Sequence, residues 1–241
     1  MCFSYINLSF CNNCIVITNY LKLLVLSPFM HALQQAKKSL CKHLQTIIKD
    51  QRVLEAFQQV PREAFVPCSL RASSYADIPL PLPGGQTISQ PTTVLLMTTF
   101  LQVTPGQTIL EIGTGSGYQA AILSVLVGDK GKIITTEILQ DLYRFSKKRL
   151  QTYTNVKVLH KDGSAGYLPE APYDRIILTA ACPQAPTHLL PQLKEDGLLL
   201  APVGDSSSQR MLRITRQWAI EDLGGFLFVP LTGKYGYRKK S

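Results

Sequence analysis

Thr108-Ile109-Leu110-Glu111-Ile112-Gly113-Thr114-Gly115-Ser116-Gly117 is the stretch whose reading decides the fold. Three apolar residues and a carboxylate lead into a loop with glycine at every second position. The next ten residues, Tyr118 to Val127, read as a helix packed through Ala, Ile, Leu and Val. Strand, glycine turn and helix form the opening unit of a nucleotide-type α/β fold. Glycine has no Cβ, so the loop can turn tightly and approach a ligand closely. The helix behind it presents free N–H groups and the positive end of its dipole.

The spacing narrows the ligand. A dinucleotide fingerprint runs Gly-x-Gly-x-x-Gly, and here the third glycine comes one residue early. Glu111 stands just before the loop, where a pyrophosphate would meet negative charge. A positively charged ligand suits that position, and S-adenosylmethionine (SAM) carries an ammonium and a sulfonium and no phosphate. A glycine turn in a ligand-free α/β protein gives the same short pattern, so other residues must support the assignment. Glu137 follows Gly117 by 20 residues, at the end of a second strand over Lys132–Thr136. An acid there is placed to accept both ribose hydroxyls of an adenosine and to repel a 2′-phosphate, or else faces solvent. Asp162, beside Gly163 after a third strand over Val156–Leu159, is placed to accept from an adenine amino group; a plain Asp-Gly turn is the alternative.

Working outward, a turn at 104–107 precedes the central unit. A charged helix over Leu139–Leu150 leads to the third strand. Tyr173–Thr179 is a continuous apolar run, as in a parallel strand buried on both faces. A helix is expected over Gln184–Leu193, a turn over Lys194–Gly197, a fifth strand over Leu198–Ala201, and later strands at Met211–Thr215 and Gly225–Val229. Upstream, the apolar positions of His31–Lys49 (Leu33, Ala36, Leu40, Cys41, Leu44, Ile47 and Ile48) repeat with helical period. A second short helix, about Arg52–Gln59, stops before Pro61. Five prolines between 61 and 83 rule out a long element there. Gly84-Gly85-Gln86-Thr87-Ile88-Ser89-Gln90-Pro91 then leads into a helix over Thr92–Leu101, with Pro91 suited to its first turn. By local chemistry alone Ser89 and Gln90 are only near a helix N-terminus.

The chain has 241 residues, 45% hydrophobic and 17% charged, which describes one globular domain with ample core. Its net charge is +9. Lys234–Ser241 carries four of the positive charges as a basic tail. No arginine-rich patch interleaved with aromatics accompanies them, so no nucleic acid partner is expected. The six cysteines form no disulfide framework, and Cys11-x-x-Cys14 has no second ligand pair. Reduced thiols and a cytoplasmic location are expected. His31, His43, His160 and His188 have no ligand spacing, so no metal is assigned. Residues 1–29 contain one charged residue, Lys22, and differ in character from the rest of the chain. Ile15–Leu26 is too short to span a bilayer, and no basic start marks a signal peptide. Residues 1–29 are therefore expected to be an N-terminal extension, with Met30 as the functional start and 30–241 as one domain. A peripheral membrane anchor is the rival, though no membrane partner is expected.

Several further segments carry a family resemblance. Val60-Pro61-Arg62-Glu63-Ala64-Phe65-Val66-Pro67, Tyr75-Ala76-Asp77, Gly85-Gln86-Thr87-Ile88-Ser89-Gln90-Pro91, the run from Leu110 to Ala121, Ala171-Pro172-Tyr173-Asp174 and Phe228-Val229-Pro230-Leu231-Thr232-Gly233 together resemble protein-L-isoaspartate O-methyltransferases. The likeness runs from about Met30 to Lys234, and the Gly-Gln-Thr-Ile-Ser-Gln-Pro segment is its most specific part. Lys161 and Cys182 depart from the family's usual glycine and alanine, and residues 1–29 have no counterpart. The resemblance implies a Rossmann-like methyltransferase fold with a mostly parallel sheet and an N-terminal helical cap. It implies SAM-dependent methylation of the α-carboxylate of L-isoaspartyl residues in damaged proteins and peptides. A monomer is expected. Carried over residue by residue, Ser89 is the active-site serine. Glu111, Gly113, Gly115 and Gly117 serve the methionine end of the cofactor, Glu137 the ribose, and Asp162 with Gly163 the adenine. Thr87 and Ile88 lie against cofactor and substrate, and Gln86, Pro230 and Leu231 against the substrate backbone.

The chemistry agrees with a site that lacks a His–acid pair. A carboxylate has an ordinary pKa near ~4 and attacks already ionised, without a general base. A SAM enzyme acting on RNA or a small carboxylic acid, a non-catalytic SAM-binding module and an NAD-linked oxidoreductase are the competing readings. Glycine spacing and Glu111 oppose the last of these.

Overall fold

The computed structural model describes residues 12–237, with side chains from Pro28 onward. The amphipathic stripe expected after His31 belongs to a longer helix, α1 (Asn12–Ile47), which passes through Met30. It buries Leu33, Leu40 and Leu44, with Ile48 just past its end, while Ile47 is exposed. The Cys11-x-x-Cys14 pair and the basic tip beyond Tyr237 lie outside the described side chains. Asp50 caps α2 (Gln51–Gln59) by accepting from the Arg52 N–H at 3.0 Å, and the helix ends where Pro61 disfavours helical backbone at Val60. Short helical turns follow in the proline-rich segment, at Arg62–Ala64, Cys68–Ser73 and Pro83–Gly85.

Two-residue strands β1 (Leu80–Pro81) and β2 (Thr87–Ile88) pair antiparallel across Gly84 and Gly85, and α3 begins at Pro91 and runs to Phe100. The central unit is as its sequence predicts: β3 (Thr108–Ile112), α4 (Tyr118–Val127), β4 (Lys132–Glu137), α5 (Gln140–Arg149) and β5 (Val156–His160). β6 (Tyr173–Leu178), β7 (Leu193–Gly204), β8 (Gln209–Thr215) and β9 (Ile220–Phe226) complete a seven-stranded sheet in the order β5-β4-β3-β6-β7-β8-β9. Strands β5, β4, β3, β6 and β7 run parallel, and β8 and β9 add an antiparallel edge. Ile109, Leu110, Ile176 and Ile177 are fully buried, which is why these strands read as unbroken apolar runs. One core forms on the face covered by α2, α3 and α4, and a second behind the other face.

Three expectations need correction. The helix over 184–193 is a short 3₁₀ segment, Thr187–Gln192, because Pro186 fixes its entry and Pro191 lacks the N–H an α-helix needs. The turn at 194–197 lies within β7, whose start pairs with Tyr173 before a register shift. The last strand ends at Phe226 rather than Val229, since a turn through Trp218 brings it back onto β8. The chain freed after Phe226 bridges Ala181 through Pro230 instead. That detour brings Pro230 and Leu231 to the ends of the parallel strands. Among the described residues, no helix is long and apolar enough to cross a membrane.

Candidate active site

The chain leaves β3 toward β4 on one side and returns to β6 on the other. Ligands of open α/β sheets bind at such a reversal, outside the carboxyl ends of the strands. A cleft opens there, lined by the ends of β3, β4 and β6 and by the segment from Gln86 to Ser89. Its floor is the glycine loop. The N–H groups of Gly113 and Thr114 both donate to the Thr136 carbonyl, at 2.9 and 3.0 Å, which pins the loop to the end of β4. Gly115 has φ +53° and open space where a Cβ would project, so the backbone there is bare toward the cleft. Thr179, at the end of β6, donates to the Gly113 carbonyl and closes the wall opposite.

Glu137 stands at the end of β4, nearly buried, and among the described residues lining the cleft it is the one with a charged side chain. It accepts from the Gly115 N–H and the Leu139 N–H, both at 2.9 Å. A carboxylate has about four acceptor positions, so two remain for ligand hydroxyls.

Gln86, Thr87, Ile88, Ser89, Gly113, Gly115, Gly163, Pro230 and Leu231 join Glu137 in the wall, as the sequence suggests. Glu111, Gly117 and Asp162 do not touch it. Gly117 caps α4 with its Cα against Leu150, so its role is to pack the helix. Asp162 accepts from the Ser164 N–H and the Lys234 N–H, both at 2.8 Å, and so tethers the C-terminal segment. Burial works against its charge, but those backbone donors still hold its carboxyl below the usual carboxylate range.

Glu111 is fully buried beneath the floor. Thr135 Oγ1 donates to its Oε2, and Thr135 is in turn 2.7 Å from Thr114 Oγ1 in the cleft wall. The other oxygen, Oε1, has no partner. Burial, reinforced by Glu137, pushes the Glu111 carboxyl up to about 8, against the Thr135 hydrogen bond. A buried carboxylate with an unmet oxygen, linked through two hydroxyls to the cleft, suits a cationic ligand and opposes a pyrophosphate. SAM, which carries an ammonium and a sulfonium, fits this donor set.

A second cavity adjoins the first and shares Thr87, Ser89, Thr179, Phe228 and Val229 with it. Ser89 therefore stands on a common wall between two compartments. Thr179, Ile138, Ser164 and Phe228 also line the cleft, and local sequence gives them no role there. Thr179 had a usable signal, as the polar residue closing a buried apolar strand beside the switch point. Phe228 had none, because only the return of the chain after β9 brings it there.

Gly163 sets the height of the floor. A Cβ there would lie 1.9 Å from Thr136 Oγ1 and 3.3 Å from an Ile112 methyl. Gly163→Ala is expected to destabilise the protein by about 1–3 kcal/mol, the range for overpacking, and to weaken cofactor binding. Thermal melting with and without S-adenosyl-L-homocysteine checks both effects.

A mostly parallel sheet with an alternating-glycine turn, a strand-end acid in the cleft and a second compartment across a shared wall defines a Rossmann-like, SAM-type methyltransferase. Comparison with known proteins makes this specific. The family model described as Protein-L-isoaspartate(D-aspartate) O-methyltransferase (PCMT) matches residues 34–236. The Protein-L-isoaspartate O-methyltransferase of Methanosarcina mazei is 43% identical over 212 residues, covering 86% of this chain and 87% of that one. Protein-L-isoaspartate O-methyltransferase 2 of Pelobacter propionicus is 46% identical over 197 residues, covering 79% and 86%. Among solved structures, a protein-L-isoaspartate O-methyltransferase superposes with a TM-score of 0.74 at 27% identity, covering 83% of this chain and 67% of that one. A Plasmodium falciparum protein named for the same activity, solved with S-adenosyl-L-homocysteine, gives 0.71 at 26% identity, covering 81% and 97%. The chain belongs to the protein-L-isoaspartate (D-aspartate) O-methyltransferase family.

Proposed function

We infer that this chain transfers the methyl group of SAM to the α-carboxylate of L-isoaspartyl residues in damaged proteins and peptides. Family membership supports the activity. The observation that carries the residue assignment is Ser89 on the wall common to the two cavities. The cleft over the glycine loop holds the cofactor, and the adjoining cavity receives the isoaspartyl chain.

Bound SAM supplies a methyl group on a sulfonium, which one carboxylate oxygen takes while the sulfur keeps the bond electrons. No proton moves, so the site needs no base. Charge is lost as anion meets cation, and strong fixed charges at the reacting atoms would stabilise the ground state more than the transition state. The chain's task is placement. Ser89 offers a neutral hydroxyl that aims the carboxylate without overbinding it. Thr87, Ile88 and Gln86 flank it from β2 and its approach, and Pro230 and Leu231 close over it. Glu137 takes the ribose hydroxyls. Glu111 balances the ammonium from beneath the floor through Thr135 and Thr114. Gly113, Gly115 and Gly163 give the backbone access. Asp162 sits at the adenine end, and Gly117 holds α4 in place. In-line placement of this kind is worth up to ~7–11 kcal/mol in favourable cases.

The methyl ester closes without the enzyme to a succinimide, whose hydrolysis returns some normal aspartate. The enzyme acts as a monomer in the cytoplasm and has no nucleic acid partner. Among the described residues lining the cleft the one charged side chain is Glu137, an acid, which does not suit a phosphate chain. Residues 1–29 are an extension to the 30–241 catalytic domain. Repeated incubation of an isoaspartyl peptide with enzyme and SAM is expected to yield a growing fraction of the normal aspartyl peptide by reversed-phase chromatography. An isoaspartyl peptide that stays unchanged through many SAM additions would contradict the reading.

A further inference from the structure

Arg62 is fully buried, although arginine is among the residues least often found inside. Among the described residues no carboxylate lies within ion-pair distance of it. Its guanidinium instead donates to three carbonyls on separate turns of chain. Nη1 reaches the Ser74 carbonyl, and Nη2 the Ser89 carbonyl at 3.0 Å and the Ile78 carbonyl at 3.3 Å. Its plane lies 6.0 Å over the ring of Tyr118, the first residue of α4 and part of the cleft wall. A buried cation with no carboxylate in contact, and only the longer-range attraction of Asp77, is expensive, and an apolar side chain of similar volume would often be more stable. Packing alone therefore does not account for Arg62.

We propose that Arg62 is a positioning residue for methyl transfer, holding the Ser89 carbonyl so that the Ser89 hydroxyl keeps its aim between the two cavities. The inference rests on Ser89 being the residue that aims the substrate carboxylate. Ser89 bridges β2 and α3, and each side of that bridge is anchored. Arg62 grips the carbonyl of residue 89. Asp77 accepts from both the N–H of Thr92, at 2.9 Å, and its hydroxyl. Only two residues, Gln90 and Pro91, are strung between these anchors. The carbonyl of Ser89 fixes its ψ, and ψ with χ1 fixes where the hydroxyl points. The rigid, planar fork of arginine meets the three carbonyls in fixed directions; a lysine ammonium, a point charge on a flexible stem, does not reproduce that geometry. The segments around Arg62 and Asp77 thus act together, although neither lies in the cleft wall.

Arg62→Lys tests this, measured in wild type and in Ser89→Ala, with calorimetric affinity for S-adenosyl-L-homocysteine alongside. In wild type the expected result is a fall in kcat on an isoaspartyl peptide of tenfold or more, with affinity within twofold. In Ser89→Ala, the same change is expected to alter the residual rate by less than twofold, because the group being aimed is gone. Asp77→Ala, on a half-buried side chain, gives a second variant with the same expected pattern should Arg62→Lys fold poorly. Affinity and kcat falling together, unchanged kcat in either folded variant, or a full tenfold loss repeated in Ser89→Ala overturns the inference. Near-normal turnover of Ser89→Ala by itself is a different failure: it removes the serine reading, and the positioning role with it.

Discussion

Ser89→Ala is expected to lower kcat on an isoaspartyl peptide by about a hundredfold or more while leaving the protein folded and able to bind S-adenosyl-L-homocysteine. The size follows from what the hydroxyl does. The attacking carboxylate needs no activation, so the enzyme's contribution lies in holding oxygen, methyl carbon and sulfur in line. A misplacement of about 1 Å in such an arrangement costs on the order of a hundredfold. Ser89 is half-exposed on the wall between the cavities, and its backbone carbonyl, not its hydroxyl, carries the contact to Arg62. Removing the hydroxyl therefore changes stability by no more than about 0.5 kcal/mol, as for ordinary surface changes. Initial rates with radiolabelled SAM, beside a thermal melt, separate the two quantities. A normal rate in a folded variant removes Ser89 from the reaction.

The second large effect concerns Glu111 and appears as proton release. Its carboxyl sits at about 8 in the free protein, so at pH 7 it is mostly protonated. A bound ammonium nearby favours the charged form and draws the value down. Cofactor binding at pH 7 should then release protons, at most one per site, and the release should fall away as pH rises past about 8. Calorimetry in two buffers of different ionisation enthalpy reads this directly. Glu111→Gln should abolish the buffer dependence. It should also weaken SAM binding, by less than the ~2 kcal/mol that loss of a directly paired buried charge costs, because Thr135 and Thr114 stand between.

The same group makes the free protein pH-sensitive. Its folded value lies above the ordinary carboxyl value of 4.5, so the folded state retains a proton that the unfolded state has lost. Its contribution to stability is complete below about 4.5 and declines as pH rises to about 8. Glu111→Gln should flatten that decline in melts from pH 5 to pH 8. Equal slopes in both proteins would mean that the Glu111 carboxyl is not shifted.

Local sequence revealed most of the sheet and part of the site, for a physical reason. The β3–α4–β4 unit is contiguous, so its apolar runs, glycine turn and strand-end acid are all visible within the single stretch Thr108–Glu137. Glu137 and Gly115 sit where that unit predicts. What escaped was assembled from distant segments. Arg62 meets Ser89 across 27 residues, and Thr179 meets Gly113 across 66. No periodicity encodes either contact. Glu111 and Asp162 were recognisable as acids near a ligand, but not as groups one layer removed from it. That distinction depends on which way a side chain turns: Glu111 toward Thr135, and Asp162 toward Lys234. The false helix at 184–193 came from weighing its apolar residues above Pro186 and Pro191. The late strand was misplaced because the sequence does not show that the chain after Phe226 leaves the sheet to cover the cleft.

The most direct test of the activity uses tritiated SAM and two synthetic peptides that differ only in having an L-isoaspartyl or a normal aspartyl linkage. Base-labile methyl ester is counted after incubation with the enzyme. Label is predicted on the isoaspartyl peptide alone. Equal label on both peptides, or none on either from a protein that still binds SAM, would contradict the isoaspartyl methyltransferase reading.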